Sequence, residues 1–211
     1  GRLGNVFLVA GSCTFAGMDR PSWQIDPQVA GGGVLLHDCY EVLDQILWNF
    51  PLPAQVYALK TNQAPDKQQR LCLTEDTAIV AMRFSDAFMG SLVATRSEEM
   101  ALPRVVLEIH GRQGRLAVTE TQAALTASRG EADRIWQYQE DEQVLMERLL
   151  ESFAQSVRNP AERPFPGSGG ESLRNMAVLE SAYLSARTGF PEEPARVLQM
   201  AGGPVSATAT V

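Results

Sequence analysis

The stretch TAIVAMRFSDAFMGSLVATR, residues 77–96, decides the fold. Its first half alternates, with Ala78, Val80, Met82 and Phe84 on one face. A period of two belongs to an extended strand, whose successive side chains point to opposite sides. Asp86-Ala87 supplies a turn and Met89 to Arg96 runs back, so the stretch predicts a β-hairpin.

Strand signals continue on both sides of it. Downstream, Arg104 to His110 alternates again, and Gly111-Arg112-Gln113-Gly114 offers glycines for a turn. Leu116 to Thr119 continues a meander, with weaker strand signals at Leu125 to Ala127 and Ile135 to Tyr138. Upstream, Gln55 to Leu59 is short and apolar, and Val6 to Ala10 lies between Gly4 and Gly11. Between those two strands the pattern is helical. After a polar loop with Trp23, Asp26 and Pro27 comes Gly31-Gly32-Gly33. Leu35, Leu36, Cys39, Val42, Leu43, Ile46, Leu47 and Phe50 then follow at helical spacing, predicting one continuous helix that Pro51 and Pro53 stop. Beyond the strands, Val144, Leu145, Leu149, Phe153 and Val157 form one stripe of a helix ended by Pro160. A loop over residues 164–169 leads to a last helix from about Gly170 to Arg187, closed by Gly189. The tail over 201–211 is small and polar and is expected to be disordered. Strands and helices are grouped rather than alternating, which predicts an α+β domain over residues 1–200.

Composition narrows the function classes. Of 211 residues, 45% are apolar and 20% charged, a globular balance. The formal net charge of -7 disfavours nucleic acid and acidic membrane surfaces as partners. No apolar run reaches the roughly 20 residues of a membrane span. Cys13, Cys39 and Cys72 are odd in number and widely spaced, and read as three reduced, mostly buried thiols of a cytoplasmic protein. No GxGxxG follows the first strand and no GxxxxGK[ST] occurs, so the usual nucleotide cradles are missing from this sequence. There is no His/Cys cluster at metal spacing, and no metal site is expected. The chain starts without Met, inside a loop-to-strand junction, and two expectations stand open for this: a boundary cut within a longer protein, or a truncated gene.

Several segments, in order, resemble the C-terminal domain of the Gfo/Idh/MocA oxidoreductases. They are Gly1-Arg2-Leu3-Gly4, Trp23, Asp26-Pro27, Gly31 to Leu36, Asp44 and Trp48, Glu75 to Ala78, Glu108 to Gly114, and Tyr183 to Gly189. The resemblance implies a large open, mostly antiparallel sheet with helices packed on one face. It also implies a homo-oligomer through the uncovered face and a hydroxy compound such as a sugar or polyol as substrate. NAD or NADP would be bound mainly by an N-terminal Rossmann domain that is absent from this chain, so the chain alone is expected to be inactive.

The family's Asp-x-x-x-His motif follows the glycines. Here the Asp position falls on His37 and the His position on Glu41, an inverted order. Three readings stand side by side. His37 and Glu41, one turn apart, form an imidazole–carboxylate pair for proton transfer with a substrate hydroxyl. Alternatively catalysis is lost and the chain is a binding or scaffolding relative that kept the fold. In the third reading the alignment slips by one and Asp38 is the true Asp. Trp23, Asp38 and Asp44 are the candidate substrate-binding residues, Trp23 by stacking on a sugar ring and Asp44 as the match to the family's following Asp. Bare amides at Gly31 to Gly33 suit either an anionic or hydroxyl-rich ligand or a close approach of loop and sheet. Tyr183 to Gly189 reads as helix packing and capping.

Overall fold

The computed structural model describes residues 2–16, 22–63, 73–97, 105–127, 132–138, 141–167 and 169–202. Cys72, Gly1 and the tail over 203–211 lie outside the described residues. Eight strands form one sheet: β1 (Val6–Ala16), β2 (Gln55–Thr61), β3 (Thr77–Ser85), β4 (Phe88–Ser97), β5 (Val105–Gly111), β6 (Gly114–Thr119), β7 (Gln122–Ala127) and β8 (Ala132–Gln137). Their spatial order is β2-β3-β4-β1-β5-β6-β7-β8. The 77–96 hairpin forms as its alternation predicts, with Val80 opposite Leu92 and Ile79 opposite Val93. Every neighbouring pair is antiparallel except β1–β4, which is parallel.

β1 is the spine between two meanders, and it is longer than its sequence suggests. The expected strand ended before Gly11, yet pairing runs on to Ala16. Gly11 is tolerated mid-strand because a helix presses on it there: a Cβ on Gly11 would lie 2.7 Å from Val42.

Seven helices are described: α1 (Ser22–Ile25), α2 (Pro27–Ala30), α3 (Val34–His37), α4 (Tyr40–Asn49), α5 (Glu142–Arg158), α6 (Gly169–Thr188) and α7 (Pro194–Met200). The inward face of the sheet carries Val9, Cys13, Val56, Ala58, Val80, Met82, Leu92, Ala94 and Leu107, all buried. Leu35, Val42, Leu43 and Ile46 from α3 and α4, and Val178, Leu179 and Ala182 from α6, close over them in one core. Each fully buried Leu, Ile or Val contributes about 1.5–3 kcal/mol. The opposite face is open: Leu59, Ile79 and Met89 share it and are 57%, 49% and 58% exposed. Among the described residues no helix is long and apolar enough to cross a membrane.

Two expectations are corrected. The single helix over Leu35 to Phe50 is two helices, α3 and α4, with Asp38 and Cys39 between them. The thiols of Cys13 and Cys39 are not both free: they form a disulfide between β1 and that break. Both residues are fully buried and 26 positions apart, so sequence spacing offered no sign of the pairing. The cysteines therefore give no argument for a reducing compartment.

Candidate functional site

The polar loop before the glycines is two short helical turns. Asp26 caps α2, its Oδ1 accepting from the Gln28 amide at 2.9 Å, and Pro27 occupies the first helical position. Gly31, at φ 75, ends that turn in the left-handed region and redirects the chain into α3.

What holds α3 is Glu75, on the segment entering β3. Its carboxylate Oε1 accepts from the Gly33 amide at 2.7 Å and the Leu35 amide at 3.3 Å, and its carbonyl accepts from the Val34 amide at 3.0 Å. The Tyr183 hydroxyl of α6 donates to the same Oε1 at 2.7 Å. Lys60 of β2 lies 3.9 Å from Oε2 and 5.1 Å from the Tyr183 ring centroid. Glu75 is 3% exposed. Burial first, then the neighbouring Glu75 charge and hydrogen bond, hold the Tyr183 phenol well above its ordinary value of 10.0. It therefore remains a donor.

The glycines make this approach possible. A Cβ on Gly33 would lie 2.0 Å from the Glu75 carbonyl oxygen, and one on Gly32 would lie 2.1 Å from the Tyr183 hydroxyl. Of the two readings left open for these amides, the structure supports close packing. The protein's own carboxylate occupies the place an anionic ligand would take. The Gly33, Val34 and Leu35 amides are thus taken by Glu75 and are not free to bind a phosphate. Among the described residues no group of His, Cys, Asp and Glu is placed to hold a metal ion.

The candidate side chains divide at the α3–α4 break. His37, at the end of α3, has Nε2 3.2 Å from the Ala30 carbonyl oxygen, and its ring meets that of Trp23 edge-on at 5.5 Å. Trp23 is half exposed, so one part of its surface remains free for stacking. Asp38 forms a two-point ion pair with Arg96 of β4, Oδ1 to Nη2 at 2.7 Å and Oδ2 to Nε at 3.2 Å, with both side chains largely buried. Glu41 lies in the first turn of α4 and is exposed. It lines a cleft of about 740 Å³ with Gln45 of the same helix, Val105 of β5, Val118 and Thr119 of β6, Glu120, Tyr138, and Leu145, Met146 and Leu149 of α5. Burial pushes the Tyr138 phenol up. Asp44 is engaged elsewhere: its Oδ1 accepts at 2.5 Å from Asn175 of α6, whose amide nitrogen also reaches the Tyr40 hydroxyl at 3.2 Å.

His37 and Glu41 thus stand in different surroundings, one against α2 and Trp23, the other on the cleft. Sequence reasoning missed the Glu75–Tyr183–Lys60 cluster. Its legible signs were the adjacent glycines Gly32 and Gly33, which needed something to approach them, and the family-like segments that begin at Glu75 and Tyr183.

Solved structures share the fold. The WlbA dehydrogenase from Bordetella pertussis, in complex with NADH and UDP-GlcNAcA, is 22% identical with a TM-score of 0.68, covering 92% of this chain and 56% of that one. An oxidoreductase from Agrobacterium radiobacter, in complex with NAD+, L-tartaric acid and magnesium, is 16% identical with a TM-score of 0.74, covering 94% and 59%. The aldose–aldose oxidoreductase from Caulobacter crescentus, complexed with glycerol, is 18% identical with a TM-score of 0.72, covering 92% and 57%. This chain therefore spans somewhat under three fifths of the length of these three proteins. No curated protein matches its sequence. The model of the GFO/IDH/MocA C-terminal domain matches residues 1–117, more than half of the 211, and the chain belongs to that family.

Proposed function

We propose that this chain is the substrate-binding and subunit-contact domain of an NAD- or NADP-dependent oxidoreductase acting on a sugar, polyol or similar hydroxy compound. The dinucleotide is held by an N-terminal Rossmann domain outside this chain. The observation that carries the reading is the cleft at α4, where the Glu41 carboxylate opens beside Gln45, Thr119 and Tyr138. Polar groups that exchange hydrogen bonds with hydroxyls, set against an apolar wall of Val105, Val118 and Leu149, suit a polyhydroxy ring with one polar edge and one apolar face. The WlbA dehydrogenase solved with NADH and UDP-GlcNAcA, the oxidoreductase solved with NAD+ and L-tartaric acid, and the aldose–aldose oxidoreductase solved with glycerol support the substrate class.

In this reading Glu41 accepts or returns the proton of a substrate hydroxyl. A carboxylate suits that task when it lies within hydrogen-bond reach of the reacting oxygen. His37, Trp23 and Asp38 shape the adjoining surface, and Asp44 keeps α4 fixed on α6 through Asn175. The open sheet face, with Leu59, Ile79, Met89 and Val93 exposed, pairs with a second copy.

The test is Glu41→Gln in the protein as its gene encodes it. The expected outcome is a fall in kcat by about 100-fold or more, with dinucleotide binding by fluorescence titration unchanged. An unchanged rate removes Glu41 from the chemistry.

A second reading, a relative that binds but does not catalyse, is favoured by one observation. The Asp38 carboxylate is tied to Arg96, and the His37 imidazole leans on Ala30 and Trp23 rather than on Glu41. That reading expects dinucleotide binding with no turnover of any hydroxy compound.

A further inference from the structure

We propose that Glu75 is a positioning residue: it fixes where the one-turn helix α3 places His37 and Asp38. The functional weight of this placement rests on the reading above, in which the α3–α4 segment borders substrate.

A four-residue helix does not hold itself. Ordering its first turn fixes several dihedrals for a single internal bond, so an external anchor must set its position. Glu75 supplies that anchor twice. Its Oε1 accepts from the Gly33 and Leu35 amides, and its backbone carbonyl accepts from the Val34 amide. The links continue inside α3. The Gly33 carbonyl accepts from the His37 amide at 3.0 Å, and the Val34 carbonyl accepts from the Asp38 amide at 3.1 Å. His37 and Asp38 are therefore each two hydrogen bonds from Glu75.

The other end of the anchor is equally fixed. Tyr183 on α6 donates to Oε1, and Lys60 on β2 faces Oε2, which accepts no hydrogen bond among the described residues. One buried carboxylate thus ties α3 to α6, to β2 and to the entry of β3. The bare Cα atoms of Gly32 and Gly33 leave no side chain to stand between them. A shift of Glu75 has no slack to absorb it and passes to His37.

The experiment uses Glu75→Ala, Glu75→Gln and Tyr183→Phe in the protein as its gene encodes it. Two readouts are taken, the His37 imidazole signals in ¹⁵N NMR and steady-state kinetics. This chain holds only two histidines, so a His110→Gln background helps to single out the His37 signals. Glu75→Ala is expected to shift the His37 ring signals and to lower kcat by about 10- to 100-fold, with KM for the dinucleotide unchanged. Glu75→Gln keeps an oxygen acceptor for the amides and is expected to restore the His37 signals and most of kcat. A folded Glu75→Ala protein with unmoved His37 signals overturns the proposal. So does a loss of rate that only tracks the unfolded fraction. Where Glu75→Ala does not fold, Tyr183→Phe decides: it removes one partner of Oε1, and unmoved His37 signals again overturn the idea. Shifted His37 signals with full turnover uphold the anchoring and count instead against the catalytic reading of this segment.

Discussion

The two flanks of the sheet differ in how they are covered. On the β2-β3-β4-β1 side, every second residue is buried through the middle of each strand, most clearly in β3, where Ala78, Val80 and Met82 are buried and Ile79, Ala81 and Arg83 are exposed. Helices α4 and α6 lie on that side and bury its inward residues. On the β6-β7-β8 side the alternation fades. Most residues of β6 and β7 are half-buried, and Ile135 of β8 is 54% exposed. Helix α5 has an apolar stripe through Leu145, Leu149, Phe153 and Val157, yet all four are exposed. The first flank is a finished core. The second holds the cleft and presents apolar surface that stays exposed among the described residues, which is how a binding region looks beside a stability region.

The sharpest way to break this comparison is to truncate one large side chain on each flank. Ile46 is fully buried between α4 and the sheet, so Ile46→Ala should destabilise the chain by about 2–5 kcal/mol in urea unfolding, from lost transfer energy and the cavity left behind. Leu150 of α5 is 60% exposed, and Leu150→Ala should change stability by no more than about 0.5 kcal/mol. Equal losses at the two sites would show that α5 is as well buried as α4 and would erase the distinction.

The disulfide sharpens the same contrast from the covered side. It closes a segment of 26 residues that includes α1, α2 and α3. Constraint of the unfolded chain by a loop of that length is worth about 3 kcal/mol. The Cys13→Ala, Cys39→Ala double variant should lose stability of that order, less whatever the two methyl groups regain by packing. Thiol titration of the denatured chain should count one reactive group, Cys72, without reductant and three with it. Three groups in the absence of reductant would show Cys13 and Cys39 to be free.

Legibility in the sequence follows the range of the interactions. The 77–96 hairpin was readable because alternation is a local property and its turn residues sit inside the same stretch. The stripe of α5 was readable for the same reason, although not the fact that it stands uncovered. The break between α3 and α4 was hidden. Leu35, Leu36, Cys39, Val42 and Leu43 keep helical spacing straight through it. The interactions at the break come from Arg96, 58 positions from Asp38, and from Cys13, 26 positions from Cys39. The spacing puts His37 and Glu41 on one helical face, whereas the break places them on two helices, His37 against Ala30 and Trp23. Glu75 and Tyr183 are 108 positions apart, and no spacing rule joins them.

The smallest predicted effect concerns that last contact and has a definite pH window. The Tyr183 phenol is held above its ordinary value of 10.0 chiefly by burial, with the Glu75 carboxylate adding to it. The unfolded chain loses this proton near pH 10, while the folded one keeps it. A group whose folded value is raised contributes its full stability below the unfolded value, and that contribution is lost as pH rises through the folded one. The chain should therefore lose stability steadily above about pH 10 as the unfolded state alone ionises. Tyr183→Phe removes the titrating hydroxyl and so should flatten the alkaline slope. At pH 7 it should cost only about 1 kcal/mol, the net worth of one hydrogen bond, with a further penalty for the donor it takes from the buried Glu75 carboxylate. Denaturant unfolding at pH 7, 9, 10 and 11 reads both effects. An alkaline slope identical in the two proteins would mean that Tyr183 ionises as freely in the fold as outside it, and that α6 is not held to α3 through this hydroxyl.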